Sequence, residues 1–289
     1  MKKHVNYLLA ASVFILMLVL LYGSSVMLAA VVSLLGFFLG GSEGFSAGYW
    51  FLLDHMNLVS CVVYMVPAVA FILWYWFEVV RRSGPASFAR AQIKRVTPAG
   101  VLWTFILAYA VQHAVSIIIG FLAILLPETV EAYAELVESA GMTDYSLAWV
   151  FAVVILPPLV EETVFRGLIF YYLKKGGAGF WAANLIQAVL FGIYHGNLVQ
   201  GIYAFFIGLL LGYLAERYSS LIIPVMVHAL FNLFGTLGVE LEALILPEMV
   251  QGMLIYGCVP LTAMLLVLIH YGAGEKKTDN GYVEERNEQ

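Results

Sequence analysis

Three charged residues stand close together within a long apolar segment: Glu161, Glu162 and Arg166. A charge at the centre of a membrane span costs about 2.5–3.5 kcal/mol on the insertion scale, so charges placed there indicate a function. Glu162 and Arg166 are spaced i, i+4 and share a helical face, where they can pair. A buried ion pair that sets helix register would explain these two residues. It would leave Glu161, turned about 100° away, free for proton transfer.

Two later apolar segments supply histidines with polar neighbours. His228 and Asn232 are again spaced i, i+4 and can donate hydrogen bonds to one point. The alternative for this pair is an interhelical hydrogen bond that joins helices. A polar stripe at helical spacing ends at the other histidine: Asn184, Gln187, Phe191 and His195.

These residue types fit hydrolysis by an activated water. Glu161 with His195 can take a proton from water and return it to a leaving amine. His228 and Asn232 can donate to the oxyanion of a tetrahedral intermediate. Zinc is the alternative, with Glu161, His195 and His228 as its ligands. Arg166 beside Glu162 would compete with a cation, and no HExxH motif is present.

Composition places these residues in a membrane. The chain has 289 residues, of which 62% are hydrophobic and 11% charged, against roughly 25% charged in soluble domains. No basic stripe with interleaved aromatics is present, so nucleic acid is excluded as a partner. The sequence predicts an all-α polytopic protein with about eight transmembrane helices around a buried polar cavity. The eight apolar segments cover approximately 5–39, 51–77, 101–126, 147–173, 179–196, 198–215, 219–239 and 249–271.

The loop charges predict the orientation. With eight spans, every loop rich in Lys and Arg falls on one side, and the loops on the other side carry only acidic charges. The positive-inside rule then places both termini in the cytoplasm. Residues 1–273 form one transmembrane domain with a catalytic core at about 147–239, and residues 274–289 form a disordered cytoplasmic tail. The first segment either tilts or breaks near Gly23. Counting from Ala178 places His195 about 25 Å into its span, nearer the outer face than Glu161.

Three short motifs carry a resemblance to a known family. Glu161-Glu162-x-x-x-Arg166, Phe191-x-x-x-His195 and His228-x-x-x-Asn232 resemble, in order and spacing, the motifs of the CPBP family. That family comprises CAAX-type intramembrane endopeptidases and bacteriocin-processing or self-immunity (Abi) proteins.

The resemblance implies an intramembrane endopeptidase of glutamic type, although such proteins are often labelled metalloproteases. It implies that Glu161 and His195 activate water, that His228 and Asn232 form the oxyanion hole, and that Glu162, Arg166 and Phe191 support them. It implies no required cofactor. The short loops favour a prokaryotic cell membrane and a peptide or membrane-protein substrate within the lipid bilayer. The sequence does not indicate an oligomeric state.

Two other functions use the same buried carboxylates. One is a proton-coupled transporter, which the lack of an inverted repeat disfavours. The other is a non-catalytic membrane immunity or scaffold protein, which would not need the complete set of three motifs.

Overall fold

The computed structural model describes residues 3–94 and 96–272, and every regular element within them is a helix. The tail predicted to be disordered, residues 274–289, lies outside the described residues. Ten helices run through the described ranges: α1 (Lys3–Asp54), α2 (Met56–Ser83), α3 (Pro85–Lys94), α4 (Pro98–Leu125), α5 (Pro127–Ser139), α6 (Leu147–Lys175), α7 (Phe180–Tyr194), α8 (Leu198–Tyr218), α9 (Ile222–Ile245) and α10 (Glu248–Gly272).

Seven of these helices are long and apolar enough to cross a membrane, namely α1, α2, α4, α6, α8, α9 and α10. The predicted all-α polytopic fold is confirmed. Helix α7 is apolar but has only 15 residues. It therefore extends about 22 Å, less than the roughly 30 Å of a hydrocarbon core. Helix α7 corresponds to the remaining one of the eight predicted apolar segments.

The bundle has two chemically different ends. Lys3, the loop with α3, Lys174 with Lys175, and Arg217 lie at one end, called the basic end below. The other end, called the acidic end, carries α5 and the segments that join α1 to α2, α6 to α5, and α9 to α10. The predicted segregation of loop charges is therefore present in the fold.

Helix α1 reverses direction at the acidic end. Gly40 and Gly41 have non-helical backbone angles, with φ at +63° for Gly41, which L side chains rarely adopt. A Cβ atom on Gly36 would collide with the Gly44 carbonyl, so the two stretches of backbone pack closely as a hairpin. No break occurs near Gly23, where the Ser24 hydroxyl donates to the Leu20 carbonyl at 2.6 Å within a continuous helix.

Helices α7 and α8 form a tight antiparallel hairpin. A Cβ atom on Gly192 would lie 2.7 Å from the Gly201 carbonyl oxygen, so only glycine permits this approach. The turn between the helices passes through Gly196 at φ +70°. Asn197 then caps α8, because its side-chain oxygen accepts from the Gln200 backbone N–H at 2.8 Å. The hairpin thereby ends α7 at His195.

Helix α6 is the central helix of the bundle. Of its most apolar stretch 56% is buried, against 11% for the corresponding stretches of α1 and α10, which therefore face lipid. Pro157 and Pro158 interrupt its hydrogen bonding, because proline has no backbone N–H. Wider π-helical stretches flank them at Val150–Ile155 and Thr163–Ile169. The charged residues of α6 thus sit on a locally widened helix, away from lipid, as membrane-embedded charges require.

Candidate active site

The ion pair predicted from spacing is present in α6. Arg166 Nη1 donates to Glu162 Oε1 at 2.7 Å, and both side chains are fully buried. Arg166 Nη2 donates to the Gly208 carbonyl of α8 at 3.1 Å, and the guanidinium lies 4.5 Å from the centre of the Phe191 ring. These three contacts of the Arg166 guanidinium reduce the free-energy cost of burying its charge. The pair joins α6 to both helices of the α7–α8 hairpin.

Glu161 is held by a phenol that the sequence analysis did not identify. The Tyr64 hydroxyl of α2 lies 2.9 Å from Glu161 Oε1 and 2.9 Å from the Tyr194 hydroxyl. Since a carboxylate only accepts, Tyr64 donates its hydrogen to Glu161 and accepts from Tyr194. A chain of hydrogen bonds therefore orients the Glu161 carboxylate from α2 and α7.

His228 lies between the two carboxylates. Its Nδ1 is 2.8 Å from Glu162 Oε1, and its Nε2 is 3.7 Å from Glu161 Oε2. Because Arg166 pairs with the same Glu162 oxygen, that oxygen is an acceptor and His228 Nδ1 carries the hydrogen. The Nε2 atom therefore carries a second hydrogen only in the doubly protonated ring. The side chain of His228 connects the ion pair to the free carboxylate.

Asn232 partners a backbone carbonyl that Pro157 leaves free. In a regular helix the N–H of residue 157 would bond to the carbonyl of Val153. Proline has no such hydrogen, and Asn232 Nδ2 donates to the Val153 oxygen at 2.9 Å instead. One amide hydrogen of Asn232 remains for a second acceptor. The predicted alternative, polar bonding between helices, is thus present, and the role as oxyanion donor stays a prediction.

His195 lies at the turn that ends α7. Its Nδ1 is 2.9 Å from the Phe191 carbonyl oxygen. A carbonyl only accepts, so Nδ1 carries the hydrogen and Nε2 keeps a free lone pair. The Phe191 ring contacts His195 and His228 edge to face, with centroids 4.8 and 5.7 Å apart. His195 is therefore oriented by its own helix and by the ring that also stacks on Arg166.

His195 and Glu161 lie at the same depth, which corrects the offset expected from counting residues. Helix α7 begins at Phe180 rather than Ala178. His195 is thus about 22 Å from the basic end, and Glu161, counted back from Lys175, is about 21 Å from it. Tyr64 bonds to Glu161 and to Tyr194, the residue before His195, and so holds Glu161 and His195 at similar depths.

The remaining polar residues of the stripe join helices. Asn184 Nδ2 donates to the Leu209 carbonyl at 3.0 Å, and Gln187 Nε2 donates to the Gly208 carbonyl at 2.9 Å. In α4, His113 pairs with Glu242 at 2.8 Å. These contacts position the helices that carry the site.

One cavity of about 790 Å³ brings the candidate residues to a common surface. It lies in the half of the bundle towards the acidic end, and α5 covers part of it. Glu161 and His195 both line this cavity. Among the described residues, no hydrogen bond joins them directly. Glu162 and Arg166 lie behind the wall. The polar residues on the wall include Tyr64, Glu161, Tyr194, His195, His228 and Asn232.

Metal binding was the alternative for the polar residues of the site. Across residues 3–94 and 96–272, no group of three or more His, Cys, Asp and Glu side chains is placed to hold a metal ion. Glu162 is paired with Arg166, and His228 Nδ1 is occupied by Glu162. Zinc bound by Glu161, His195 and His228 stays an untested alternative.

Comparison with known proteins covers the same region. Residues 143–234, about a third of the chain, match the family model described as "Type II CAAX prenyl endopeptidase Rce1-like". The predicted resemblance to the CPBP family is confirmed. The chain is also 32% identical over 80 residues to a Bacillus subtilis (strain 168) protein named "Putative membrane peptidase YdiL". That match covers 28% of this chain and 32% of the relative. No solved structure matches the chain.

Proposed function

We propose that this protein is an intramembrane endopeptidase of the CPBP type, which hydrolyses a peptide bond with a water activated by Glu161 and His195. One observation carries the proposal: the carboxylate, both histidines and Asn232 of three separate motifs line one cavity at membrane depth. Hydrolysis needs water, and a polar cavity of about 790 Å³ can hold water together with an extended peptide. The matched names support a peptidase.

The proposed reaction uses side-chain atoms of Glu161, His195, His228 and Asn232 that are not occupied by hydrogen bonds to other described residues. A water held between Glu161 and the Nε2 lone pair of His195 gives a proton to Glu161, and its oxygen attacks the substrate carbonyl carbon. The carbonyl π electrons move to oxygen and form an oxyanion. His228 Nε2–H, in the doubly protonated ring, and the second amide hydrogen of Asn232 stabilise that oxyanion. The C–N bond then breaks, and the proton held at Glu161 passes to the leaving amine.

The remaining polar groups position this machinery. Tyr64 fixes one oxygen of Glu161, so the other oxygen is directed towards His228 and the cavity. Arg166 keeps Glu162 an acceptor, and Glu162 in turn fixes the ring of His228. Phe191 contacts Arg166, His195 and His228.

The proposed reaction uses no metal ion, which is supported by the pairing of Glu162 with Arg166 and of His228 Nδ1 with Glu162. Metal analysis of the purified active protein checks this, with less than one equivalent of zinc per chain expected. Activity should survive a chelator that removes free divalent ions. A stoichiometric metal whose removal abolishes activity, and whose return restores it, would contradict the metal-free proposal.

The proposed substrate is a peptide or membrane protein in a prokaryotic membrane, with both termini of the enzyme in the cytoplasm. The loop charges support a cytoplasmic position of both termini. The description of the matched family model, which covers residues 143–234, mentions a CAAX prenyl substrate. The test described next does not presuppose a lipid on the substrate.

The test of the function is cleavage of a mixture of quenched fluorescent peptides by purified protein in detergent. We expect Glu161→Gln and His195→Ala to lose cleavage while retaining expression and thermal stability. Glu43→Gln, an exposed carboxylate far from the cavity, is the matched control and should behave as the parent. Equal cleavage by the parent and Glu161→Gln would exclude the peptidase. Proton flux into liposomes that Glu161→Gln abolishes would instead support a transporter.

A further inference from the structure

We propose that the substrate enters this site from the extracytoplasmic side of the membrane. The inference rests on the proposed peptidase function. It adds the side of the membrane from which the substrate comes and the kind of peptide segment that is cleaved. The substrate would be an exported peptide or the external part of a membrane protein.

The cavity extends to the acidic end of the bundle. Most of its wall comes from the helix halves nearer that end, such as Asn57 and Ser60 near the start of α2 and Thr236 in the second half of α9. Its outer wall is formed by α5 and by Met142 and Thr143, which follow α5. Among the described residues, the loops at the basic end contribute nothing to the wall, and the first half of α9 contributes only His228, Phe231 and Asn232. A peptide therefore reaches Glu161 past α5.

The charges of the bundle assign this end to the outside. Apart from Arg166 in the site, every Lys and Arg within residues 3–94 and 96–272 lies at the basic end. Several are held there by contacts, for example Lys174 on Glu216 at 2.6 Å and Lys175 on Glu78 at 2.7 Å. Positively charged loops remain on the cytoplasmic side during insertion. The opposite end, with the cavity opening, is then extracytoplasmic.

Helix α5 is a cover held by few bonds. The Tyr133 hydroxyl bonds to the Tyr203 hydroxyl of α8 at 2.6 Å. The segment after α5 is held by Asn57, whose Nδ2 donates to the Gly141 carbonyl at 2.9 Å. No residue of α5 is fully buried. A cover with so little buried surface can move aside without disturbing the bundle.

The wall also limits the chemistry of the bound segment. No Lys or Arg is among the described residues that line the cavity, and Glu138 lines its outer part. A terminal carboxylate of the substrate would be desolvated there without a cationic partner, which is costly. The cavity therefore favours an internal segment that carries neutral or basic side chains beside the cleaved bond.

The orientation is tested first, without reference to catalysis. Single cysteines are placed in a Cys61→Ala/Cys258→Ala background, at Ser139→Cys on α5 and at Ser87→Cys on α3. Both serines are exposed, and the two substitutions are alike in size. In sealed right-side-out vesicles, a membrane-impermeant maleimide should label Ser139→Cys and leave Ser87→Cys unlabelled until detergent is added. The reverse pattern would overturn the proposal.

Cleavage is then measured in sealed vesicles of each orientation, with the peptide mixture added outside. We expect cleavage by right-side-out vesicles, and by inside-out vesicles only after detergent. Peptides with lysine beside the cleaved bond should be preferred over those with glutamate. Cleavage by sealed inside-out vesicles alone would overturn the proposal. If solubilised protein cleaves nothing, the peptidase function fails, and the labelling result still decides which side the opening faces.

Discussion

At the scale of single residues, the site divides into a charge pair that stabilises the bundle and a carboxylate that is left for chemistry. Glu162 and Arg166 pair with each other and bond to His228 and to the Gly208 carbonyl, whereas Glu162 Oε2 and Arg166 Nε are buried without a hydrogen-bond partner among the described residues. Glu161 has one phenol donor and an oxygen facing His228 across 3.7 Å. Two adjacent glutamates thus have different partners because a helix turns by about 100° per residue.

Tyr64 should matter for rate more than for binding. Tyr64→Phe removes the hydroxyl that donates to Glu161 and leaves the ring in place. A hydrogen bond to a charged group contributes about 1.5–3 kcal/mol, so we expect kcat to fall about 10- to 100-fold with little change in KM. Tyr22→Phe is the control, since Tyr22 lines the same cavity without bonding to Glu161. An unchanged kcat in Tyr64→Phe would show that the phenol does not position Glu161.

Breaking the buried pair should cost stability as well as activity. Arg166→Met leaves the Glu162 carboxylate buried with one partner fewer, and such losses cost about 3–5 kcal/mol. Arg82→Met removes the exposed pair with Glu78 and should cost about 0–1 kcal/mol. Thermal unfolding in detergent compares the two variants. Equal shifts in Tm would mean that the buried pair adds no special stability.

The sequence predicted the i, i+4 partners because helical spacing alone brings them together. Glu162 with Arg166 is such a case. Tyr64 was missed because it is 97 residues from Glu161, although Ser60 and Asn57 stand four and seven residues before it on the same helical face. Tyr194 precedes the predicted His195, which was the available signal. The packing of α2 and α7 against α6 brings the two phenols to the carboxylate.

At the scale of elements, two breaks in helices place the catalytic candidates. The prolines of α6 leave the Val153 carbonyl without a backbone donor, and Asn232 donates to it. The turn after α7 places His195 at the depth of Glu161. The sequence predicted both segments, and the segment 179–196 begins one residue before α7, whose N-cap is Gly179; only the depth count started too early, at Ala178. It left the geometry of α1 open, and the reversal occurs at Gly40 and Gly41, with Gly36 packed against Gly44 across the hairpin.

A double-mutant cycle separates the two roles of Asn232. Asn232→Ala leaves the Val153 carbonyl without its donor, at a cost of about 1–3 kcal/mol. In a Pro157→Ala background the backbone N–H of residue 157 can take that carbonyl, so Asn232→Ala should destabilise less. Thermal unfolding measures the coupling. Equal destabilisation in both backgrounds would contradict the proposed exchange of donors.

Activity in the same cycle tests the oxyanion role. If Asn232 also donates to the oxyanion, kcat stays low in Pro157→Ala/Asn232→Ala although stability returns. If its role is to hold α6 alone, kcat recovers together with stability.

The cover helix should control access rather than chemistry. Tyr133→Phe removes the bond to Tyr203 and retains the ring. Burial raises the pKa of Tyr133, so the phenol is protonated and the bond is present at neutral pH. We expect a higher kcat/KM for a long peptide with kcat unchanged, and the same result from Tyr203→Phe. A lower kcat in both variants would place these phenols in the chemistry instead.

At the scale of the whole molecule, the bundle encloses a polar cavity beside a short helix. Helix α7 ends about 22 Å from the basic end, and the chain turns at membrane depth through Gly196. Irregular backbone at that depth is tolerated where it lines a cavity rather than lipid. His195 at this turn lines the cavity, so the turn and the proposed hydrolysis would use the same space.

Water in the cavity can be tested directly with two neighbouring positions of α2. Ser60 lines the cavity, whereas Val62 is exposed on the outer surface of the bundle and faces lipid. A thiol reacts as the thiolate, which forms readily only where water reaches it. In the Cys61→Ala/Cys258→Ala background, Ser60→Cys should react with a charged methanethiosulfonate reagent in sealed right-side-out vesicles. Val62→Cys at nearly the same depth should react far more slowly. Similar rates at both positions would mean that the cavity is dry or closed to solutes, and hydrolysis at Glu161 would then have no supply of water.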